Sequence, residues 1–197
     1  MLPRRRAIQN VARHASSLTV PGDGGPHRVV MIGAMPVRVR AATARDRPRL
    51  EPFLARWHSL RVARRGALEY PLDHPALLAE DGTELLGVLT YAIRGADCEV
   101  MTLHTDRQWG GVGTGLLAEA KRTARAAGCT RLWLITTNDN VDALRFYQRR
   151  GFRLAELHPG GVDESRVRLK PEIPEVGAHG IAVRDELELE QEIGRDE

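Results

Sequence analysis

Four glycines fall within six residues in the run Gln108-Trp109-Gly110-Gly111-Val112-Gly113-Thr114-Gly115. Without Cβ atoms, such a loop brings backbone N–H groups close to a ligand, and a helix opening at its end adds unpaired donors and a positive partial charge. The chemistry this suits is anion binding, phosphate above all. Spacing excludes two common phosphate motifs. No Gly-Lys-Ser/Thr follows, and Gly111, Gly113 and Gly115 give G-x-G-x-G where a dinucleotide fingerprint would need glycine in place of Leu116. Metal chemistry finds no support either: the seven histidines are scattered and Cys98 and Cys129 form no C-x-x-C, so no metal is expected.

A loop of this kind needs a strand to deliver it and a helix to leave it. Cys98 to His104 reads as the strand, and simple alternation sets Glu99, Met101 and Leu103 on one face and Val100, Thr102 and His104 on the other. Leu116, Leu117, Ala120, Ala124 and Ala127 recur at helical spacing until Gly128 ends the helix. Arg131 to Thr137 is the next strand, which makes one parallel strand–helix–strand step. A second helix over 139–150 ends at Gly151, strands follow at Phe152 to Leu157 and Asp185 to Ile193, and a Gly/Pro-rich excursion from Pro159 to Gly180 separates them. Earlier, Val37 to Ala41 alternates as a strand and Thr43 caps a helix carrying Leu50, Phe53, Leu54, Trp57 and Leu60. Residues 61–75 read as irregular, and a hairpin turning at Asp81-Gly82 joins Leu77–Glu80 to Leu85–Tyr91. The order predicts an α+β (mixed α/β) fold.

Gln108-x-x-Gly111-x-Gly113 resembles the Gln/Arg-x-x-Gly-x-Gly/Ala motif of the GCN5-related N-acetyltransferases (GNAT). Asn140-x-x-Ala143-x-x-Phe146-Tyr147, followed by Gly151-Phe152, resembles that family's second signature, in the family's order and at its distance. The resemblance covers about residues 37–193. It implies a central, mostly antiparallel sheet of six to seven strands with a parallel, splayed pair, flanked by about four helices. It also implies acetyl-coenzyme A as co-substrate. The pyrophosphate would lie on the loop and helix start at Gln108, Trp109, Gly110, Gly111, Val112, Gly113 and Thr114. The pantetheine arm would enter the splay beside Met101 and Leu103, against Asn140 and Ala143. Arg107 could meet a phosphate.

Acyl transfer to an amine needs a neutral amine, a bound oxyanion and a proton for the departing thiolate. By resemblance Tyr147 is the acid, and the base lies on the strand before the loop, where Glu99 is the first candidate, then Asp97, then His104, which faces the wrong way unless a β-bulge intervenes. The expected reaction is acetylation of a primary amine of a small molecule by direct transfer. A protein or peptide acetyltransferase would need an open groove, so closure of the acceptor cleft by residues 61–75 would argue against it; a non-catalytic acyl-CoA sensor is the other alternative. In this fold the acceptor pocket is built from the segment Trp57 to His74 and from the last two strands and their connection. Arg61, Arg64 and Arg65 there would suit an anionic acceptor; Glu69, Asp73, Glu186, Glu188 and Glu190 would suit a cationic one.

The chain has 197 residues, 42% hydrophobic and 28% charged, enough apolar material for one globular core. Its net charge of +3 hides a split, because residues 1–65 hold fourteen arginines against Asp23, Asp46 and Glu51 while the remainder is acidic. Residues 1–35 read as a disordered basic leader and 36–197 as a single catalytic domain. No nucleic acid or membrane partner, a cytoplasmic setting and a monomer or homodimer are expected.

Overall fold

A computed structural model describes residues 17–20, 27–32, 35–106 and 111–194 of the chain. Its centre is a nine-stranded sheet. In chain order the strands are β1 (Ser17–Val20), β2 (His27–Ile32), β3 (Met35–Ala41), β6 (Ala76–Asp81), β7 (Glu84–Arg94), β8 (Asp97–Thr105), β9 (Arg131–Thr137), β10 (Arg153–His158) and β11 (Glu186–Glu192). Across the sheet they run β1-β2-β3-β6-β7-β8-β9-β11-β10. Every neighbouring pair is antiparallel except β8 and β9, which are parallel. The seven strands from β3 onward, with the helices α1 (Arg47–Arg56), α2 (Val112–Ala126), α3 (Val141–Gln148) and α4 (Gly161–Arg168), form the expected mixed α/β architecture.

Three elements depart from the sequence reading. The segment read as a disordered leader contributes β1 and β2, which extend the sheet beyond β3; the rest of residues 1–35 lies almost wholly outside the described residues. The stretch read as irregular holds a short hairpin, β4 (Val62–Arg64) and β5 (Ala67–Glu69), whose turn places Arg65 and Gly66 both at positive φ. The Gly/Pro-rich excursion contains α4. That helix escapes a periodicity search because only Val162 and Ser165 are buried, and ion pairs Asp163–Arg166 and Glu164–Arg168 support its exposed sides.

Apolar packing covers both faces of the sheet. On one face Leu116, Leu117, Ala120 and Ala124 of α2 pack on Val39, Leu77, Leu89, Val100 and Leu132. On the other Leu50, Phe53 and Leu54 of α1 cover Ala76, Leu78 and Val88. Cys98 and Cys129 are free thiols buried in the first cluster, where loss of solvation pushes Cys98 up to about 12. None of the helices among the described residues is long and apolar enough to cross a membrane.

Two local features aim these elements at the site. The start of α2 lies tight on β7 because residue 87 is glycine: a Cβ there would stand 2.9 Å from Val112 and 3.1 Å from the His104 carbonyl. The start of α1 is fastened by a buried charge cluster. Arg40 grips Asp46 through two nitrogens at 2.7 and 2.8 Å and Glu80 at 2.8 Å, Arg49 reaches Glu80 at 2.6 Å, and Asp46 accepts the Thr43 N–H at 2.8 Å. Arg40 and these donors hold the Asp46 carboxyl well below the usual carboxylate range. Removing one partner of such a pair leaves the other buried and unmatched. Asp46→Ala is therefore expected to lose about 3–5 kcal/mol of unfolding free energy in urea titration; a loss below about 1 kcal/mol would contradict this role.

Candidate active site

The site begins where a parallel ladder stops. β8 and β9 pair only from Asp97↔Arg131 to Val100↔Leu134, although both strands continue, to Thr105 and Thr137. Beyond that point they diverge and leave unpaired backbone edges facing a wedge.

At the same place β8 carries a bulge. Its register with β7 runs Ala92↔Glu99 and Tyr91↔Val100, then Thr90↔Thr102, Leu89↔Leu103 and Val88↔His104, leaving Met101 as the extra residue. Cross-strand partners share a face, so the bulge shifts the alternation by one. Glu99, Thr102 and His104 share the α1 face, and the Thr90 and Thr102 hydroxyls meet there at 2.7 Å. Val100 and Leu103 take the α2 face. This corrects the expectation from simple alternation, which separated His104 from Glu99.

Two adjoining cavities occupy the wedge. The larger, about 550 Å³, is lined by Gly111, Gly113 and Thr114 at the start of α2 and by Arg145, Arg149 and Arg150 at the end of α3. Gly111 caps α2 with φ of 84°, and a Cβ on Gly113 would come within 3.3 Å of the Phe146 ring, so glycine lets the two helix ends approach. Arg150 lies 3.6 Å over the centre of the Phe146 ring and reaches the Thr114 hydroxyl at 2.5 Å. Helix-start N–H groups and three guanidinium-bearing side chains make a donor set suited to phosphates.

The smaller cavity, about 320 Å³, lies on the other side of the wedge between Ser59, Val62, Ala63 and Arg64 and the segment carrying Val162, Ser165, Lys170 and Ile173. These two segments are fastened together. The Lys170 ammonium donates to the His58 and Arg61 carbonyls at 2.8 Å each, and Arg61 pairs with Glu172 at 2.9 Å. The residues lining both cavities are Leu103, His104, Asn140, Ala143 and Tyr147. His104 and Tyr147 are the titratable groups among them.

The expected site residues divide accordingly. Tyr147 stands at the junction with its ring edge-on to Phe146 and Phe152, and burial raises its hydroxyl above the ordinary tyrosine range. Asn140 caps α3, its side-chain oxygen accepting the Ala143 N–H at 3.2 Å. Leu103 and Ala143 line both cavities and Met101 the smaller one. Gly111, Gly113 and Thr114 line the larger, whereas the Val112 side chain is buried in the core. Gln108, Trp109 and Gly110, with Arg107, lie outside the described residues.

Glu99 has a different surrounding from the one expected of a base. It is buried and lines neither cavity. One carboxylate oxygen accepts from Arg64 at 2.5 Å and the other from Arg94 at 2.8 Å. Arg64 also donates to the Met101 carbonyl at 3.0 Å, so the group holds the bulge in place. Asp97 faces Arg131 at 3.6 Å.

His104, last of the three candidates from sequence, is the one at the junction. Its ring stacks on Trp57, 5.1 Å between centroids and 7° from parallel. The Ser59 hydroxyl donates to the Trp57 carbonyl at 3.0 Å, so towards His104 Nε2, 2.8 Å away, it acts as acceptor. With both of these bonds made at once, the proton sits on Nε2 and the lone pair on Nδ1. Burial pushes the imidazole down to about 4, so it is neutral at physiological pH.

Sequence reasoning missed Arg145, Arg149, Arg150, Ser165, Lys170 and Ile173. Arg145 lies on α3, and Arg149 and Arg150 directly follow its last residue, a run of basic residues that the sequence shows. One further group, Glu156, His158 and Glu188, brings potential metal-ligand atoms within 4.8 Å of one another. Glu188 there already faces Arg131 at 2.5 Å and Arg65 at 3.5 Å, which marks the group as part of an ion-pair network.

Comparison with known proteins agrees with this architecture. The uncharacterized protein YdhI of Bacillus subtilis (strain 168) is 48% identical over 116 residues, 59% of this chain and 71% of that protein. A Bacillus subtilis acetyltransferase solved in complex with CoA is 18% identical, covers 80% of this chain and 99% of its own, and superposes with a TM-score of 0.58. A GNAT family acetyltransferase from Elizabethkingia anophelis with acetyl-CoA bound is 19% identical, with coverage of 79% and 97% and a TM-score of 0.56. At such identities the two structures speak for the fold. Residues 40–152 match the acetyltransferase (GNAT) family, and the chain belongs to it.

Proposed function

We propose that this protein moves an acetyl group from acetyl-CoA to the amine of a small molecule by direct transfer, with Tyr147 as acid and His104 as the group that takes the amine proton. The observation that carries this reading is the meeting of two unlike cavities at those two side chains. Acetyl-CoA would supply the acetyl thioester. Gly111, Gly113, Thr114 and the arginines of α3 suit its phosphates, and the diverging edges of β8 and β9 suit an extended arm that pairs with backbone as a strand would. Fold neighbours crystallised with CoA and acetyl-CoA support this placement.

In the smaller cavity the chain's own groups would do the remaining work. An ammonium must lose a proton before its nitrogen can attack, and a neutral imidazole with a free lone pair on Nδ1 can accept it. Ser59 and Trp57 fix that tautomer and ring plane. Tyr147, raised by burial, keeps its proton until a thiolate forms nearby. Glu99, both of whose oxygens hold arginines, supports the site from beneath by bracing Arg64 and the bulge. The bonds that tie residues 58–61 to 170–172 beside a cavity of only 320 Å³ support a small acceptor in preference to a peptide.

A free-thiol release assay over an amine panel tests the reading, with calorimetry for CoA. Coenzyme A binding with turnover is expected. Binding without turnover would make the protein a sensor, and neither would overturn the assignment. Tyr147→Phe is expected to lower kcat about a hundredfold with CoA affinity unchanged; unchanged kcat would remove Tyr147 from the mechanism. His104→Gln is expected to lower kcat at pH 7 about a hundredfold, with the gap closing toward pH 10, where amines lose their proton unaided. A deficit independent of pH would contradict a role as base.

The depressed imidazole also sets a stability profile. The unfolded chain binds this proton near the ordinary histidine value of about 6.5 and the folded chain only near 4, so the stability this group contributes is fully present above about 6.5 and is lost as pH falls toward 4. Urea unfolding at pH 7 and pH 5 should show a drop for the native protein that His104→Gln reduces; equal drops would contradict the neutral, buried imidazole.

A further inference from the structure

The smaller cavity holds two polar groups that the transfer step does not use. Glu186, at the start of β11, is 3% exposed and lines the cavity, yet among the described residues no cation lies within ion-pair distance of it. In a chain with 27 arginines the buried acids Asp46, Glu80, Glu99, Glu119 and Glu188 each hold at least one; among the described residues Asp139 holds none either, but it accepts from the Thr137 hydroxyl and the Ala178 N–H and lines neither cavity. The Glu186 charge meets only backbone. The Arg65 N–H donates to Oε2 at 2.9 Å, and the first turn of α4 approaches so closely that a Cβ on Gly161 would stand 3.3 Å from the carboxylate carbon. Ser165, one turn into α4, is 1% exposed and lines the same cavity, and its hydroxyl has no hydrogen-bond partner. A buried carboxylate without a cation and a buried hydroxyl without a partner each cost stability unless a ligand completes them.

We propose that Glu186 and Ser165 receive a positively charged group of the acceptor, so that the acceptor is a small diamine: one nitrogen is presented to His104 and Tyr147 at the junction, and the second cation sits on Glu186. This rests on the reading of the smaller cavity as the acceptor site. The cations that share the cavity are already spent. Arg64 is matched by Glu99 and bonded to the Met101 carbonyl, and Lys170 is held by two carbonyl oxygens and neighbours Glu172. A carboxylate-bearing acceptor would therefore face Glu186 with no free positive group to offset it.

The test compares α,ω-diamines of three to six carbons with ω-amino acids of the same lengths, by calorimetry on the CoA-loaded protein. At least one diamine is expected to bind about tenfold or more tightly than its matched amino acid, and Glu186→Gln is expected to erase that preference with CoA binding unchanged. Ser165→Ala should weaken the same diamine in a protein whose unfolding midpoint is preserved, which keeps the test decisive if Glu186→Gln fails to fold. Equal or tighter binding of the amino acids, an unaltered diamine affinity in Glu186→Gln, or no diamine binding at all would overturn the proposal. Thiol release on the same series separates the two readings. Diamine binding that depends on Glu186 without thiol release would contradict acetyl transfer and leave this proposal standing, whereas release with the amino acids alone would do the reverse.

Discussion

The parallel pairing of β8 and β9 ends after Val100 and Leu134, and the rest of the site depends on that break. Two strands that stay paired leave no room between them and no backbone donors or acceptors to spare. Once they diverge, a wedge opens whose walls are polar edges, and the elements on either side become two different rooms. One is floored by the glycine-rich start of α2 and the arginines of α3, the other by β4 and α4. The bulge at Met101 falls where the ladder ends. By advancing β8 one residue it turns His104 towards the α1 face, where Trp57 and Ser59 fix its ring. Arg64, braced by Glu99 and bonded to the Met101 carbonyl, holds the bulge. A carboxylate that sequence alone presents as a base thus takes part in the geometry that brings another side chain to the junction.

Charge placement follows a related logic. The basic first third of the chain and the acidic last strand, which look like two separate tendencies in the sequence, touch at Arg65 and Glu188, and arginines and acids of other strands pair around them. Arg64 lies on Glu99, Arg65 lies near Glu188, and Arg131 bridges Glu188 and Glu190. Most of the arginine excess near the site is consumed in this way, and its value is positional: each buried pair replaces water that both ions have lost and is worth little beyond that. What remains unmatched is informative for the same reason. The smaller cavity keeps one carboxylate, Glu186, for which the described residues supply backbone N–H and no cation.

Much of this was legible from residue order. Gln108-x-x-Gly111-x-Gly113 and Asn140-x-x-Ala143-x-x-Phe146-Tyr147 are local patterns, and each is compact enough for its spacing to state its geometry: a glycine turn into a helix, and a helix whose cap and tyrosine share one end. The strands of the sheet from Val37 onward show in alternation, apolar runs and turn signals, and α2 in the spacing of Leu116, Leu117, Ala120 and Ala124. The bulge is different. Nothing about Met101 distinguishes it from its neighbours, and the shift exists only in the register against β7, a contact between distant parts of the chain. Simple alternation therefore puts His104 on the wrong face. The β4–β5 hairpin was hidden by the shortness of its strands, and α4 by its charge pairs, since neither element buries an apolar stripe.

A crystal structure of the protein soaked with acetyl-CoA tests the central claim most directly, that the break between β8 and β9 is the reaction centre. The account predicts the pantetheine arm extended along the unpaired edges of the two strands, the phosphates at Gly111, Gly113 and the α3 arginines, and the thioester at the junction bounded by His104, Asn140 and Tyr147. A thioester directed away from that junction, or a ligand that leaves the wedge empty, would contradict it.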